Sequence, residues 1–183
     1  VLKPREKELG VAVLDIGART TNLVVFEEGQ LIHASVFPVG SANITDDIAI
    51  GLRIDIDSAE KIKTDFGLSH AGGRAKIKVP KKKKSAKIKD DEDLPPAEID
   101  FRHIPQKALR KIIEPRLRDI FDEVNRDLKK ISRQGLLPAG VVLTGGGAKM
   151  PNIIELSKKD LKLPCQIGLP KGLRGLPPDP SLA

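Results

Sequence analysis

Tryptophan and tyrosine are absent and phenylalanine occurs only five times, so any core must be packed with aliphatic side chains. A single cysteine, Cys165, excludes an internal disulfide and agrees with a reducing cytoplasm. No apolar run approaches the roughly 20 residues that cross a bilayer as a helix, and the first residues hold no apolar stretch of signal-peptide type. The chain opens without methionine and meets its first strand pattern at Val11, so we expect a piece of a longer polypeptide. Its 183 residues suffice for a real core in one domain or two small ones.

The excess of basic residues is confined to one stretch. Between Lys76 and Lys89 there are eight lysines and no carboxylate, and outside that run 24 basic residues face 25 acidic ones. The net charge of +7 is therefore local. Asp90-Asp91-Glu92-Asp93 follows at once, and adjacent blocks of opposite sign read as a solvated loop. Without interleaved aromatics to stack bases, we expect no nucleic-acid partner.

Val11 to Phe26 organises the rest. An apolar run ends at Asp15, passes through Ile16-Gly17-Ala18-Arg19-Thr20-Thr21 and resumes at Leu23. The glycine lets backbone N–H groups approach an anion, and the threonine hydroxyls can donate to phosphate oxygens. Asp15 can hold Mg²⁺ through water. A plain hairpin turn accounts for the same residues. Leu31 to Val39 alternates as a third antiparallel strand. A helix is expected over Asp46–Leu52, capped by Asn43 or Thr45, and another from Asp57 or Ser58, with Ser58 as N-cap and Gly67 as stop. On that second helix Glu60 and Lys63 are neighbours, which by itself describes a surface ion pair.

Short strands are expected over Ala75–Val79 and Glu98–Phe101, with a loop over Lys81–Asp93 between them. From Leu109 to Ile131 apolar residues keep helical spacing, but an interior proline costs about 3 kcal/mol, so a break at Glu114 with Pro115 restarting the helix is expected. Val141-Val142-Leu143 then forms a strand and Thr144-Gly145-Gly146-Gly147 a glycine loop, with Pro151 opening a helix over Asn152–Leu161. That order suits an anion or nucleotide. So many glycines imply close approach by a ligand or by another chain segment. Cys165 and Ile167 fit a closing strand.

Three features together resemble the actin/DnaK/sugar-kinase superfamily: D-x-G-x-x-T-T in a first hairpin, Ala59-Glu60-Lys61-Ile62-Lys63 on a helix, and Val141-Val142-Leu143-Thr144-Gly145-Gly146-Gly147 before another. Ile113-Glu114-Pro115-Arg116 and Ala139-Gly140 make the sequence similar to FtsA, the bacterial cell-division actin homologue. The resemblance implies an α/β fold, half of an actin-like ATPase (ribonuclease H-like) fold with a mixed sheet and helices. Residues 1–57 and 135–183 would form subdomain 2A, and residues 58–134 an inserted, smaller α/β subdomain 2B. It further implies ATP and Mg²⁺ as cofactors. Asp15, Gly17, Thr20 and Thr21 would serve the phosphates, with Asp15 on the metal side. Glu60 and Lys63 would contact ribose and adenine, and Gly145, Gly146, Gly147 and Met150 would line the adenosine loop.

By the same resemblance, the chain would belong to a scaffold that polymerises and links the tubulin-like division protein FtsZ to the membrane. The FtsZ C-terminal tail would dock on subdomain 2B at Arg116, and a C-terminal helix outside these residues would bind the inner face of the cell membrane. Without a partner, Arg116 would pair with Glu114 or Asp119. Ala18, Arg19 and Asn22 depart from the family's D-x-G-G-G-T-T-D, so ATP binding with at most weak hydrolysis is expected. Ala18 also suits a PilM-type pilus-assembly relative, the alternative reading.

Overall fold

The computed structural model describes residues 1–69, 76–80 and 101–169. In chain order, Pro4–Leu9 forms α1, Val11–Ile16 β1, Thr21–Glu27 β2, Gln30–Phe37 β3, Ser41–Leu52 α2 and Ile56–Phe66 α3. Lys76–Pro80 (β4) and Phe101–Pro105 (β5) precede the long helix Gln106–Lys130 (α4). Val141–Thr144 (β6), a 3-10 turn at Gly146–Lys149, Ile153–Leu161 (α5) and Cys165–Ile167 (β7) complete it.

The main sheet runs β3-β2-β1-β6-β7. The three leading strands are antiparallel, as the alternation predicts, while β6 lies parallel to β1 and β7 parallel to β6. Ala12, Leu14, Ile16, Leu23, Val25 and Leu143 are fully buried on one face beneath the helices. A separate antiparallel pair, β4 with β5, buries Ile77 and Val79. The Arg102 guanidinium on β5 donates to the Leu52 carbonyl and ties this pair to the end of α2. Lys76 and Lys78 of the lysine run lie exposed on β4, and Lys78 Nζ sits 4.0 Å above the Phe101 ring. The loop expected over Lys81–Asp93 falls outside the described residues, as do Ala75 and residues 98–100; β5 itself starts at Phe101 and continues to Pro105.

Several local expectations need correction. Helix α4 does not break at Glu114; it runs through Pro115. Leu109, Ile113, Leu117, Ile120, Phe121, Val124 and Leu128 are all fully buried along its length. At about 1.5–3 kcal/mol each, that burial exceeds the proline cost several-fold, and a break would turn one half away from the core. Pro115 and Lys111, whose carbonyl loses its donor, both lie on the exposed side where water can substitute. Helix α2 starts at Ser41; Asn43 sits in its first turn and accepts the Gly40 N–H at 3.0 Å. In α3 the N-cap is Asp55, which accepts the Ser58 N–H at 2.8 Å. That bond holds the Asp55 carboxyl below its ordinary pKa. Helix α5 begins at Ile153, and α1 was not anticipated.

Candidate nucleotide site

The site is assembled at the C-terminal ends of β1 and β6, where ligands of open α/β sheets gather. Asp15 lies near the end of β1, in register with Asn22 on one side and Thr144 on the other. Asn22, standing where the family pattern has an acid, donates from Nδ2 to Asp15 Oδ2 at 3.3 Å. The turn closes on itself through Gly17 N–H to the Thr20 carbonyl at 2.9 Å. A Cβ at Gly17 would lie 2.9 Å from that same carbonyl, so the tight turn requires glycine. Ala18, Arg19 and Thr20 are exposed. Thr21 is fully buried and donates to the Val39 carbonyl at 2.8 Å, so the exposed hydroxyl of the turn belongs to Thr20.

The glycine loop docks directly on Asp15. Gly145 has φ +83°, and a Cβ there would collide with Asp15 Oδ1 and come within 2.6 Å of the Ile16 carbonyl. Gly147 is packed just as closely against the Ile16 side chain. Another chain segment, the end of β1, thus accounts for these two glycines. Gly146 differs: it is exposed, as Gly145 is, but a Cβ there would meet nothing within 4 Å. Met150 is buried, packed with Pro151 against Gly67 at the end of α3, and Leu68 N–H donates to the Pro151 carbonyl at 3.1 Å.

Helix α2 carries the turn across to α3. Its first N–H groups, on Ser41 and Ala42, donate to the Gly17 and Ala18 carbonyls at 2.8 and 2.7 Å. One turn on, Thr45 accepts from Lys63 Nζ at 2.8 Å and donates to Glu60 Oε2 at 2.5 Å. Lys63 Nζ also donates to the Ser41 carbonyl at 3.2 Å and to Glu60 Oε2 at 2.7 Å. Lys63 is only 6% exposed, so it is a buried cation satisfied by three oxygens and not a loose surface partner. Partial burial works against ionisation of Glu60, but the bonds from Lys63 and Thr45 outweigh it and hold its carboxyl below the ordinary range. Glu60 stays half exposed. Contacts therefore run in one continuous path: Gly145, Asp15, Gly17, Ser41, Thr45, Lys63, Glu60.

Arg116 belongs to a different contact. It grips Asp47 of α2 bidentately, Nε to Oδ2 at 2.8 Å and Nη2 to Oδ1 at 3.1 Å, with Asp119 at 3.6 Å. The Asp47 bond raises its pKa further. Glu114 pairs instead with Arg110 and Arg118. Sequence reasoning also missed a buried cluster beneath β3. Asp127 of α4 accepts from His33 Nε2 at 2.6 Å, Ser35 Oγ at 2.5 Å and Lys130 Nζ at 3.0 Å. These partners lie over 90 residues away for His33 and Ser35, beyond any local signal.

Among the described residues no three His, Cys, Asp or Glu side chains converge on a metal. A lone Asp15 suits a cation held chiefly by phosphate and water. Nor is any described helix long and apolar enough to cross a membrane.

Solved structures of similar fold define the class. The chain superposes on Spiroplasma citri MreB5 bound to AMPPNP with TM-score 0.69 at 20% identity, covering 88% of this chain and 49% of that one. The PilM–PilN type IV pilus biogenesis complex gives 0.62 at 21% identity, over 90% and 37%. The fold is half of an actin-like α/β protein: a mixed five-stranded sheet with helices, plus a small two-stranded sheet.

The family described as "Cell division protein FtsA" matches residues 12–183. FtsA of Pseudomonas aeruginosa is 36% identical over 179 residues, 96% of this chain and 40% of that protein. FtsA of Bacillus subtilis is 33% identical over 172 residues (92% and 36%), and that of Escherichia coli 31% over 183 residues (96% and 41%). The chain belongs to the FtsA family of cell-division proteins. It spans about two fifths of the length of these relatives.

Proposed function

We propose that this chain is the nucleotide-binding 2A–2B half of an actin-like cell-division scaffold, with 2B inserted between residues 57 and 135. The observation that carries the reading is the continuous path from the Gly145 backbone, packed on Asp15, through the Gly17 turn and α2 to Glu60. ATP with Mg²⁺ fits it. The open backbone at Gly146 and the Thr20 hydroxyl would serve the nucleotide, and Asp15 the hydrated metal. Glu60 would meet the ribose with its exposed edge, while Lys63 would position Glu60 and the turn from inside. Asn22 engages Asp15 with an amide where a carboxylate base would be needed, so binding outlasts hydrolysis. The intact protein should bind ATP with turnover near background. Sustained multiple turnover that Asp15→Ala abolishes overturns the non-enzymatic reading.

In the scaffold, subunits would self-associate into filaments, hold FtsZ by its C-terminal tail, and sit at the inner face of the membrane through a helix beyond these residues. Arg116 is the proposed tail contact; it is one-third exposed and borrows its order from Asp47. Arg116→Ala should lose tail-peptide binding while the circular dichroism spectrum stays unchanged; retained binding removes it from the interface. Ala18 is all that favours a pilus-assembly role, and membership of the FtsA family weighs against it.

A further inference from the structure

Thr45 sits in the interior of α2, only 3% exposed, with a β-branched side chain that helix interiors do not favour. A buried threonine in a helix ordinarily returns its proton to the carbonyl four residues back. That carbonyl, on Ser41, lies 3.3 Å from Thr45 Oγ1. Glu60 Oε2, on the neighbouring α3, lies at 2.5 Å. A hydroxyl has one proton, and the short bond to a carboxylate is the stronger of the two, so the proton goes to Glu60. Thr45 Oγ1 accepts in turn from Lys63 Nζ at 2.8 Å. Glu60 and Lys63 share one helix and can pair without help. Among the described residues, Thr45 is the only side chain outside α3 that bonds either of them. Every hydrogen bond that the Glu60 carboxyl receives from the described residues falls on Oε2. Oε1 takes none, on a side chain that is half exposed.

We infer that Thr45 is a positioning residue: it locks Glu60 Oε2 to α2, so that Oε1 stands as a fixed acceptor for a sugar hydroxyl and the site prefers ribonucleotides to their deoxy forms. This deepens the proposed nucleotide reading and rests on it. Glutamate is long and rotamer-rich, and an exposed one that is ordered only by its ligand charges that ordering to the affinity. Here Thr45 orders it beforehand. The same helix holds the phosphate-type turn, since the Ser41 and Ala42 N–H groups donate to the Gly17 and Ala18 carbonyls. Oε1 is therefore set at a fixed distance from that turn through one rigid element. The bonds from Lys63 and Thr45 also keep the carboxyl ionised at neutral pH. An ionised carboxylate only accepts, so it takes a donor such as a ribose hydroxyl and repels phosphate oxygens. A deoxy sugar offers it no proton.

The test compares the binding of ATP, 2′-deoxy-ATP and 3′-deoxy-ATP, each with Mg²⁺, to the intact protein by titration calorimetry. The parent should bind at least one deoxy analogue about tenfold more weakly than ATP, the worth of one hydrogen bond to a charged acceptor. Thr45→Val keeps the shape and removes the hydroxyl, and should bring that ratio close to one. Thr45→Ser should restore it. Thr45→Ala repeats the deletion should the valine disturb folding. In the protein without nucleotide, carboxyl-carbon NMR should show Glu60 titrating nearer its ordinary range in Thr45→Val than in the parent. A role in packing alone predicts instead that ATP and its analogues weaken together and that serine rescues nothing. That pattern, a parent that does not discriminate, or a ratio that Thr45→Val and Thr45→Ala leave unchanged overturns the positioning role while ATP binding stands. A parent that binds no ATP overturns the nucleotide reading and this inference with it, so the two failures are told apart.

Discussion

Asp127 shows how one carboxylate fixes an edge strand. Burial disfavours its charge, but bonds from Ser35, His33 and Lys130 outweigh that and bring its pKa down to about 2. A depressed carboxyl contributes stability that is complete above its unfolded pKa and is lost as pH falls through its folded one. The chain should therefore lose about 2 kcal/mol between roughly pH 4 and pH 2 from this group. Asp127→Asn should flatten that part of the stability–pH profile in urea melts; an unchanged slope there would assign the acid sensitivity elsewhere. At the same scale, Lys63 and Arg116 each keep one expected partner and add others. Lys63 reaches Glu60 as its spacing implies, then Thr45 and Ser41 of another helix. Arg116 passes over Glu114, keeps Asp119 at 3.6 Å and grips Asp47, 69 residues away. Spacing along one helix could announce Glu60 for Lys63 and Asp119 for Arg116, and none of the contacts to another helix.

Elements were legible where local chemistry decides alone. Alternation and the Asp15–Thr21 break placed β1 to β3, and Gly67 stopped α3 as read. Caps slipped because Asp55 and Ser58 both suit an N-cap, and the winner depends on which side chain reaches the other's N–H. Pro115 was misjudged because its local cost is set against tertiary burial that a one-dimensional reading does not weigh. Helix α4 persists by packing alone. Pro115→Ala restores the donor to the Lys111 carbonyl on an exposed face and should stabilise the chain by about 1–3 kcal/mol, less a fraction for the looser unfolded state. Denaturant melts measure this. A destabilised variant would mean that α4 needs the proline's geometry.

For the whole molecule, the sequence singled out candidate residues but not how they join. Nothing in it says that α2 is the bridge, its first N–H groups on the phosphate-type turn and its Thr45 on Lys63. Nor does it separate the glycines. Gly145 and Gly147 are demanded by the end of β1, and of the three only Gly146 has room for a side chain. That separation gives the most direct test of the central claim, that these three motifs make one nucleotide site. Gly146→Leu places a side chain into space the fold leaves empty, so thermal stability should hold while binding of Mg·ATP to the intact protein, read by titration calorimetry, is lost. A Gly146→Leu protein that folds normally and binds ATP as tightly as the parent would contradict the account.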